Sequence, residues 1–330
     1  MKTAISVGSA YYDGENWEDL VEFVEAAERL GVDSVWSAEA WGMDAVASLG
    51  FLASRTGRIR LGTGIMQISA RTPASTAMTA LSLSRLSNGR FTLGLGASGP
   101  QVVEGLHGAP FAKPLGRMRE YVEVVRLATS GERIQFEGEH YVLPRPGGEG
   151  KALRLSMGKQ AEIPIYLATL GERSLELTGE IADGWLGTSF IPERADALLG
   201  PIERGAARAG RSIQDLEIEV NAVLAVSEDV ERLLTRARQG MAFTLGAMGS
   251  AKTNFYNAAY CRAGWEDVAK EVQRLWIAGD RGAAMEAVPD EMLLAAYLIG
   301  TEDRVRERIR AFRDAGVDVL RLAPEGRSAK

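Results

Sequence analysis

With 44 acidic and 38 basic side chains in 330 residues, the chain has a net charge of −6, which argues against a nucleic-acid-binding protein because such proteins carry a basic surplus. Cys261 is the only cysteine, so an internal disulfide is excluded and a reducing compartment is expected. The N-terminal segment has the pattern of a strand rather than of a secretion signal, and no apolar run approaches the ~18 residues of a membrane span, so we expect a cytoplasmic protein without a membrane partner.

Strand and helix signals alternate along the first third of the chain. Asn16 is a good N-cap for the first helix, and Gly31 favours the left-handed conformation that ends helices. The predicted strands are 3–7, 33–39, 59–65 and 90–96, and the helices between them are 17–30, 44–55 and 73–86. This alternation is typical of βα units on a parallel sheet.

Short echoes in the sequence support a repeating unit, because "LGTG" at 61–64 recurs as "LGLG" at 93–96. Four more strands are predicted at 163–169, 183–189, 216–226 and 317–323, and a helix from Thr301 to Gly316 precedes the last of them. Eight strands are the number that closes a barrel, so we predict an α/β fold of the (β/α)8 TIM-barrel class. A doubly wound open sheet is the alternative.

Two segments are longer than the repeat allows. Residues 97–162 follow the fourth predicted strand and contain a helix at 115–129 and a hairpin, whereas residues 227–300 follow the seventh and look helical throughout. We interpret both as insertions at the barrel rim. The prediction is therefore a single domain over residues 1–330.

The motif "GLGASG" at 94–99 matches the dinucleotide-binding pattern, but that pattern requires a long helix to begin at its third glycine. Gly105, Gly108, Pro110 and Pro114 interrupt the segment that follows, so a Rossmann-type site is disfavoured. The only histidines, His107 and His140, lack the spacing of metal ligands, and no metal site is predicted.

Barrel active sites lie at the carboxyl ends of the strands, so the residues at these ends are candidates for function. They include Ser9-Ala10-Tyr11, Glu39 and Trp41, Gly64-Ile65-Met66, and Ala97-Ser98-Gly99. Glycines there let a backbone approach a flat ring, and Trp41 and Met66 can pack on it. Leu170-Gly171, before a helix, suits an anion, although an ordinary βα turn explains it equally well. Together these features favour a large, planar, phosphorylated cofactor.

The segments "LGTGIMQISARTPASTAMTALSLSRLSNGRFTLGLGASGPQVVEGLHGAPFAKPLGRMREYVEVVR", "ATLGERSLELTGEIADGWLG", "NFYNAAYCRAGWEDVAKEVQRLW" and "AVPDEM…LIGTEDRVRERIRAFRDAGVDVLRL" resemble the bacterial-luciferase-like superfamily, in its coenzyme F420-dependent branch. The resemblance covers nearly the whole chain. It implies a TIM barrel that forms a homodimer and binds a deazaflavin at the C-terminal mouth. It also implies a non-prolyl cis peptide at Gly64-Ile65.

The resemblance assigns the cofactor to three strand ends and the loops beyond them. Its cofactor-binding residues would be Gly64, Ile65, Met66, Ser98, Gly99, Gln101, Val102, Ala168, Thr169, Leu170, Gly171 and Glu172. The stretch from Thr169 to Glu172 would hold the phosphate. Four basic residues are candidates to meet the anionic tail of the cofactor: Arg71, Lys113, Arg117 and Arg119.

The predicted function is hydride transfer between F420 and a small organic substrate, with Glu39 and Trp41 as catalytic residues. Glu39 is the candidate general acid or base because it follows a strand end in a partly apolar mouth. Two alternatives stay open, an FMN-dependent monooxygenase of the same superfamily and a non-catalytic flavin or deazaflavin binder.

Overall fold

A computed structural model describes residues 1–7, 16–157, 162–250 and 253–324 of the chain. The predicted strand end at Ser9-Ala10-Tyr11 lies outside these residues.

The described residues contain twelve strands, of which β6 and β7 form a separate antiparallel hairpin and the others pair in one sheet. In chain order they are β1 Lys2–Val7, β2 Ser34–Ser37, β3 Arg60–Thr63, β4 Met66–Gln67, β5 Phe91–Gly96, β6 Phe136–Glu137, β7 Val142–Leu143, β8 Ile165–Leu167, β9 Gly184–Gly187, β10 Glu217–Val226, β11 Leu298–Gly300 and β12 Val319–Pro324.

Thirteen α-helices connect the strands over the same described ranges. They are α1 Trp17–Arg29, α2 Ala45–Arg55, α3 Pro73–Leu86, α4 Pro100–Gly105, α5 Pro114–Thr129, α6 Glu172–Ile181, α7 Asp196–Arg208, α8 Val230–Gly246, α9 Phe255–Tyr260, α10 Glu266–Ile277, α11 Arg281–Glu286, α12 Asp290–Ala296 and α13 Glu302–Asp314. The Asn16 side chain accepts a hydrogen bond from the Glu18 amide at 3.2 Å and caps α1, as predicted. A π-helical turn, Cys261–Trp265, joins α9 to α10.

The strand order in the sheet is β11-β10-β12-β1-β2-β3-β5-β8-β9, and β10 also pairs with β9. Strands β1, β2, β3, β5 and β8 pair in parallel, as do β10 and β12. Eight parallel strands close in this way, so the (β/α)8 barrel is confirmed and the open-sheet alternative is wrong.

The chain contacts define two compact units. Of the described residues, those within 4–168 and 181–184 form the first unit, and those within 1–3, 169–180 and 185–324 form the second. Trp36, Phe91 and Tyr121 are among the largest buried side chains of the first unit. In the second unit, Trp185 and Phe312 belong to one buried cluster, and a further cluster fills the space among α8 to α12.

Predicted and observed elements differ at three places. The third predicted strand, 59–65, ends at Thr63 and is followed by the separate strand β4, because the chain bulges between them. The segment 227–300, predicted as helical throughout, ends in the strand β11, which pairs with β10. A helix does begin at Pro100, but it has only six residues.

Candidate active site

The segment from Gly62 to Gln67 contains one residue more than the part of β5 with which it pairs. Gly62 is in register with Thr92 and Met66 with Leu95, so four steps on this side match three steps on β5. This arrangement is a β-bulge. The Thr63 hydroxyl closes the gap, since its Oγ1 donates to the Gly94 carbonyl at 2.8 Å and accepts from the Gly94 amide at 2.9 Å. The Gly64-Ile65 peptide bond within the bulge is cis, which confirms the prediction.

Glycines at these strand ends are required by close contacts. A Cβ at Gly62 would overlap the indole ring of Trp36, so this glycine packs closely within the barrel wall. A Cβ at Gly96 would lie 2.9 Å from Cδ1 of Ile65, so β5 must lack a side chain where it faces the bulge.

The end of β5 and the bulge form a surface that is largely backbone. Gly64, Ile65, Ala97, Ser98 and Gly99 are all half-buried, at the ends of strands that are otherwise buried. Ser98 has a φ of 59°, an unusual value for a serine that is found preferentially at functional sites. We call these five residues the floor. Two of the five, Gly64 and Gly99, have no side chain, so a flat ring can approach the backbone at these positions.

Glu39 is joined to the bulge. Its amide donates to the Ile65 carbonyl at 3.0 Å, and Nη1 of Arg71 contacts both oxygens of its carboxylate, at 2.6 Å for Oε2. Trp41 is placed differently, because its side chain is 57% exposed and makes no hydrogen bond or ring contact with the described residues. Glu39 is thus fixed beside the floor, whereas Trp41 is a free aromatic surface after the same strand.

The remaining predicted residues of the first unit follow β5 and β8. Gln101 is exposed and Val102 half-buried in the first turn of α4, directly after Gly99. The Ala168 amide donates to the Leu95 carbonyl at 2.9 Å, which places Ala168 beside the end of β5. Met66 is fully buried, with its Sδ 3.6 Å from the Thr76 hydroxyl, so its side chain packs against α3.

In the second unit, Thr169 to Glu172 form the loop that leads into α6. The Thr169 carbonyl accepts from Nε1 of Trp185 at 2.9 Å, and Oγ1 of Thr169 is 2.7 Å from that of Thr178. Glu172 pairs with Arg204 at 2.7 Å. These contacts fix the loop, and the Glu172 carboxylate is engaged in its ion pair with Arg204. Leu170 and Gly171 are half-buried.

Arg262 is a residue that sequence reasoning did not identify. Its Nη2 donates to the Leu170 carbonyl from the π-helical turn, where Gly264 has a φ of 91°. Burial lowers the pKa of the Arg262 guanidinium, and the nearby Glu172 carboxylate opposes this shift. A cation beside the free amides of a helix start is suited to an anion. The irregular turn that carries Arg262 was the only available signal that this residue has a functional role.

The four basic residues predicted to meet an anionic tail are not equivalent. Arg71 pairs with Glu39, and Lys113 pairs with Glu139. Arg119 also has a partner. The Arg117 side chain makes no hydrogen bond or ion pair with the described residues, and it lines a small pocket with Ser69, Ala97 and Phe111. Of the four, Arg117 is therefore the cation that is available to a ligand.

The described ranges lack the features of two other kinds of site. They contain no cluster of three or more histidine, cysteine, aspartate or glutamate side chains able to hold a metal ion. None of the helices in them has the length and apolar character needed to cross a membrane.

Comparison with known proteins gives full-length matches. The profile of the luciferase-like monooxygenase family matches residues 1–319. A Mycobacterium tuberculosis protein, whose name assigns it provisionally to the coenzyme F420-dependent oxidoreductases, is 40% identical over 97% of this chain and 94% of its own. The 5,10-methylenetetrahydromethanopterin reductase of Archaeoglobus fulgidus is 30% identical over 98% of this chain and 95% of its own.

Among solved structures, the coenzyme F420-dependent tetrahydromethanopterin reductase from Methanopyrus kandleri superposes with a TM-score of 0.79. The match covers 98% of this chain and 93% of the reductase at 24% sequence identity, so it bears on the fold alone.

Proposed function

Because this chain belongs to the luciferase-like monooxygenase family, we propose that it is a coenzyme F420-dependent oxidoreductase that moves a hydride between the deazaflavin and a small organic substrate. The observation that carries the proposal is the 40% identity, over nearly the full length of both chains, to a relative named for F420. When bound, the deazaflavin supplies or accepts the hydride at C5. The protein then has to bind, orient and polarise.

The residues present fit such a cofactor. The floor offers half-buried backbone on which a ring can lie, and two of its five residues, Gly64 and Gly99, carry no side chain. We assign ring contacts to Gly64, Ile65, Ser98 and Gly99. The buried Met66, which follows Ile65 in the chain, is assigned to the site as a supporting residue. Gln101, Val102 and Ala168 belong to the same proposed cofactor site.

The phosphate is assigned to the loop of the second unit. Thr169, Leu170, Gly171 and the first residue of α6, Glu172, would surround it with backbone amides. Arg262 is the proposed counter-charge, because its guanidinium already lies against this loop. The Glu172 carboxylate is paired with Arg204, so part of its repulsion for a phosphate is offset.

Glu39 is the proposed proton-transfer group, and Trp41 is the proposed platform for the substrate. A carboxylate beside the floor can accept or return the proton that accompanies hydride transfer to a carbonyl or imine. An exposed indole can stack on a flat substrate. We also propose that the protein is cytoplasmic, that it forms a homodimer, and that residues 1–330 are a single catalytic domain. Light scattering of the purified protein tests the dimer.

The family description itself favours a second candidate, an FMN-dependent monooxygenase. Titration of the purified protein with reduced F420 and with reduced FMN, followed by fluorescence, separates the two. We expect saturable binding of F420 and turnover with at least one member of a panel of enones, imines and ketones. Binding of FMN without binding of F420 would contradict the proposal. Binding of F420 without turnover would favour a non-catalytic binder.

Replacement of Arg262 tests the phosphate assignment. Arg262→Gln is expected to weaken F420 binding by about tenfold, because a charge-assisted hydrogen bond contributes ~1.5 kcal/mol or more. The Kd for the dephosphorylated deazaflavin should stay unchanged. Arg274→Gln, which removes a guanidinium paired only on the surface of α10, is the matched control. Equal weakening for both ligands would show that Arg262 does not act through the phosphate.

A further inference from the structure

Glu39 is held by the bulge segment at several atoms, not at its carboxylate alone. Besides the Ile65 contact, its carbonyl accepts from Nε2 of Gln67 at 3.2 Å, and its Oε2 lies 3.4 Å from the Gln67 amide. Arg71 completes the set through one nitrogen, Nη1, which contacts both carboxylate oxygens. The backbone and the side chain of Glu39 are therefore fixed by the same stretch of chain that forms part of the floor.

The Glu39–Arg71 pair is shielded from solvent. The side chains are 9% and 22% exposed, respectively. In such surroundings each charge depends on the other, because removal of one partner leaves an uncompensated charge in a poorly solvated site. The two side chains should therefore respond to mutation as one unit.

The position of Arg71 is determined by two helices. The Tyr121 hydroxyl of α5 donates to the Arg71 carbonyl at 3.2 Å and lies 2.5 Å from Oγ1 of Thr76 in α3. Burial raises the pKa of Tyr121, so its hydroxyl stays protonated and remains a donor. Arg71 is thus held from behind by well-packed elements, although it belongs to the loop before α3.

We propose that Arg71 is a positioning residue for the reaction: it acts through Glu39, holding that carboxylate beside the floor. This role rests on the proposed function, in which Glu39 transfers the proton. The contact with Glu39 uses a single nitrogen of Arg71. A lysine ammonium, which is a point charge with no planar fork, can replace such a contact, whereas it cannot replace a forked guanidinium that binds a ligand.

The experiment compares wild type with Glu39→Gln, Arg71→Gln, Arg71→Lys and the double variant Glu39→Gln/Arg71→Gln. For each protein, F420 affinity, kcat, KM and thermal unfolding are measured. We expect kcat to fall about 100-fold in Glu39→Gln and about tenfold in Arg71→Gln. The double variant should fall about 100-fold, whereas independent effects would multiply to about 1000-fold. Arg71→Lys should recover most of the loss, with little change in KM.

The control is Arg60→Gln, which disrupts the ion pair of Arg60 with Asp33, of similar exposure, at the start of β3. It should lower the unfolding temperature and leave kcat unchanged. Multiplicative losses in the double variant, or an Arg71→Gln protein with wild-type kcat, would overturn the positioning role while the proposed function stands. Failure of Arg71→Lys to recover activity, with a raised KM, would assign Arg71 to the ligand instead. Failure of the wild type to bind F420 would overturn the function itself.

Discussion

Glu39→Gln is expected to lower kcat/KM by about 100-fold or more, which is the contribution typical of a positioned general acid or base. The substitution keeps the size of the side chain and still presents an oxygen to Nη1 of Arg71. It removes the carboxylate beside the floor that we propose accepts the proton. Since the Glu39 backbone contacts with Ile65 and Gln67 are unaffected, the floor should keep its shape, and the Kd for F420 should change by less than about twofold.

Steady-state kinetics across a range of pH, together with F420 titration, measures this effect. Asp33→Asn is the matched control, because it neutralises another half-buried carboxylate that is paired with an arginine in the same unit. Unaltered turnover of Glu39→Gln at every pH would exclude Glu39 from proton transfer. A loss that appears only in the Kd would make it a binding residue.

Gly205→Ala is expected to lower the free energy of unfolding by about 3 kcal/mol, at the upper end of overpacking effects. Gly205 lies in α7 where it crosses α6, and a Cβ there would overlap the Glu176 carbonyl oxygen and lie 2.6 Å from its carbon. The obstacle is the backbone of a helix, which cannot move aside as a side chain can. Gly179 of α6 faces α7 in the same way, because a Cβ added there would overlap the Ile202 carbonyl oxygen and lie 2.6 Å from the Ala206 amide nitrogen.

Chemical denaturation measures the Gly205 effect, and Gly240→Ala is the control. Gly240 lies in α8, and a Cβ there meets nothing within 4 Å. That substitution should stabilise the protein by about 0.5–1 kcal/mol, the usual gain from alanine in a helix. If the two variants changed stability in the same direction, close packing of α6 on α7 would not be the reason for Gly205.

Local patterns in the sequence were sufficient to predict the eight strands of the barrel in their order, although not the additional strand β11. The period of apolar residues, the Asn16 cap and the barrel count all led to the observed fold, and the family resemblance located the bulge. Hydrogen bonds and ion pairs between residues far apart in the sequence could not be predicted from local patterns. Arg262 is 92 positions from Leu170, and helical periodicity does not tell which loop such a side chain reaches.

Arg71 shows the same limit. The sequence presents it as one of several basic residues near the mouth, available for an anionic tail. Its guanidinium is instead committed to Glu39, 32 positions earlier, because the bulge brings the loop before α3 against the end of β2. Charge pairing of this kind depends on register, and a single residue added to a strand changes it.

That added residue has a further consequence for how the chain encodes its barrel. Side chains alternate between the two faces of a strand, so in an unbroken strand residues 62 and 66 would share a face. Here Gly62 meets the indole of Trp36 on the neighbouring strand, whereas Met66 contacts Thr76 of α3. The bulge thus shifts by one position which residues of the sequence face the inside of the barrel and which face the outside. Up to Thr63 the segment therefore forms part of the barrel wall. From Met66 onward its side chains connect the mouth of the barrel to the helix outside it.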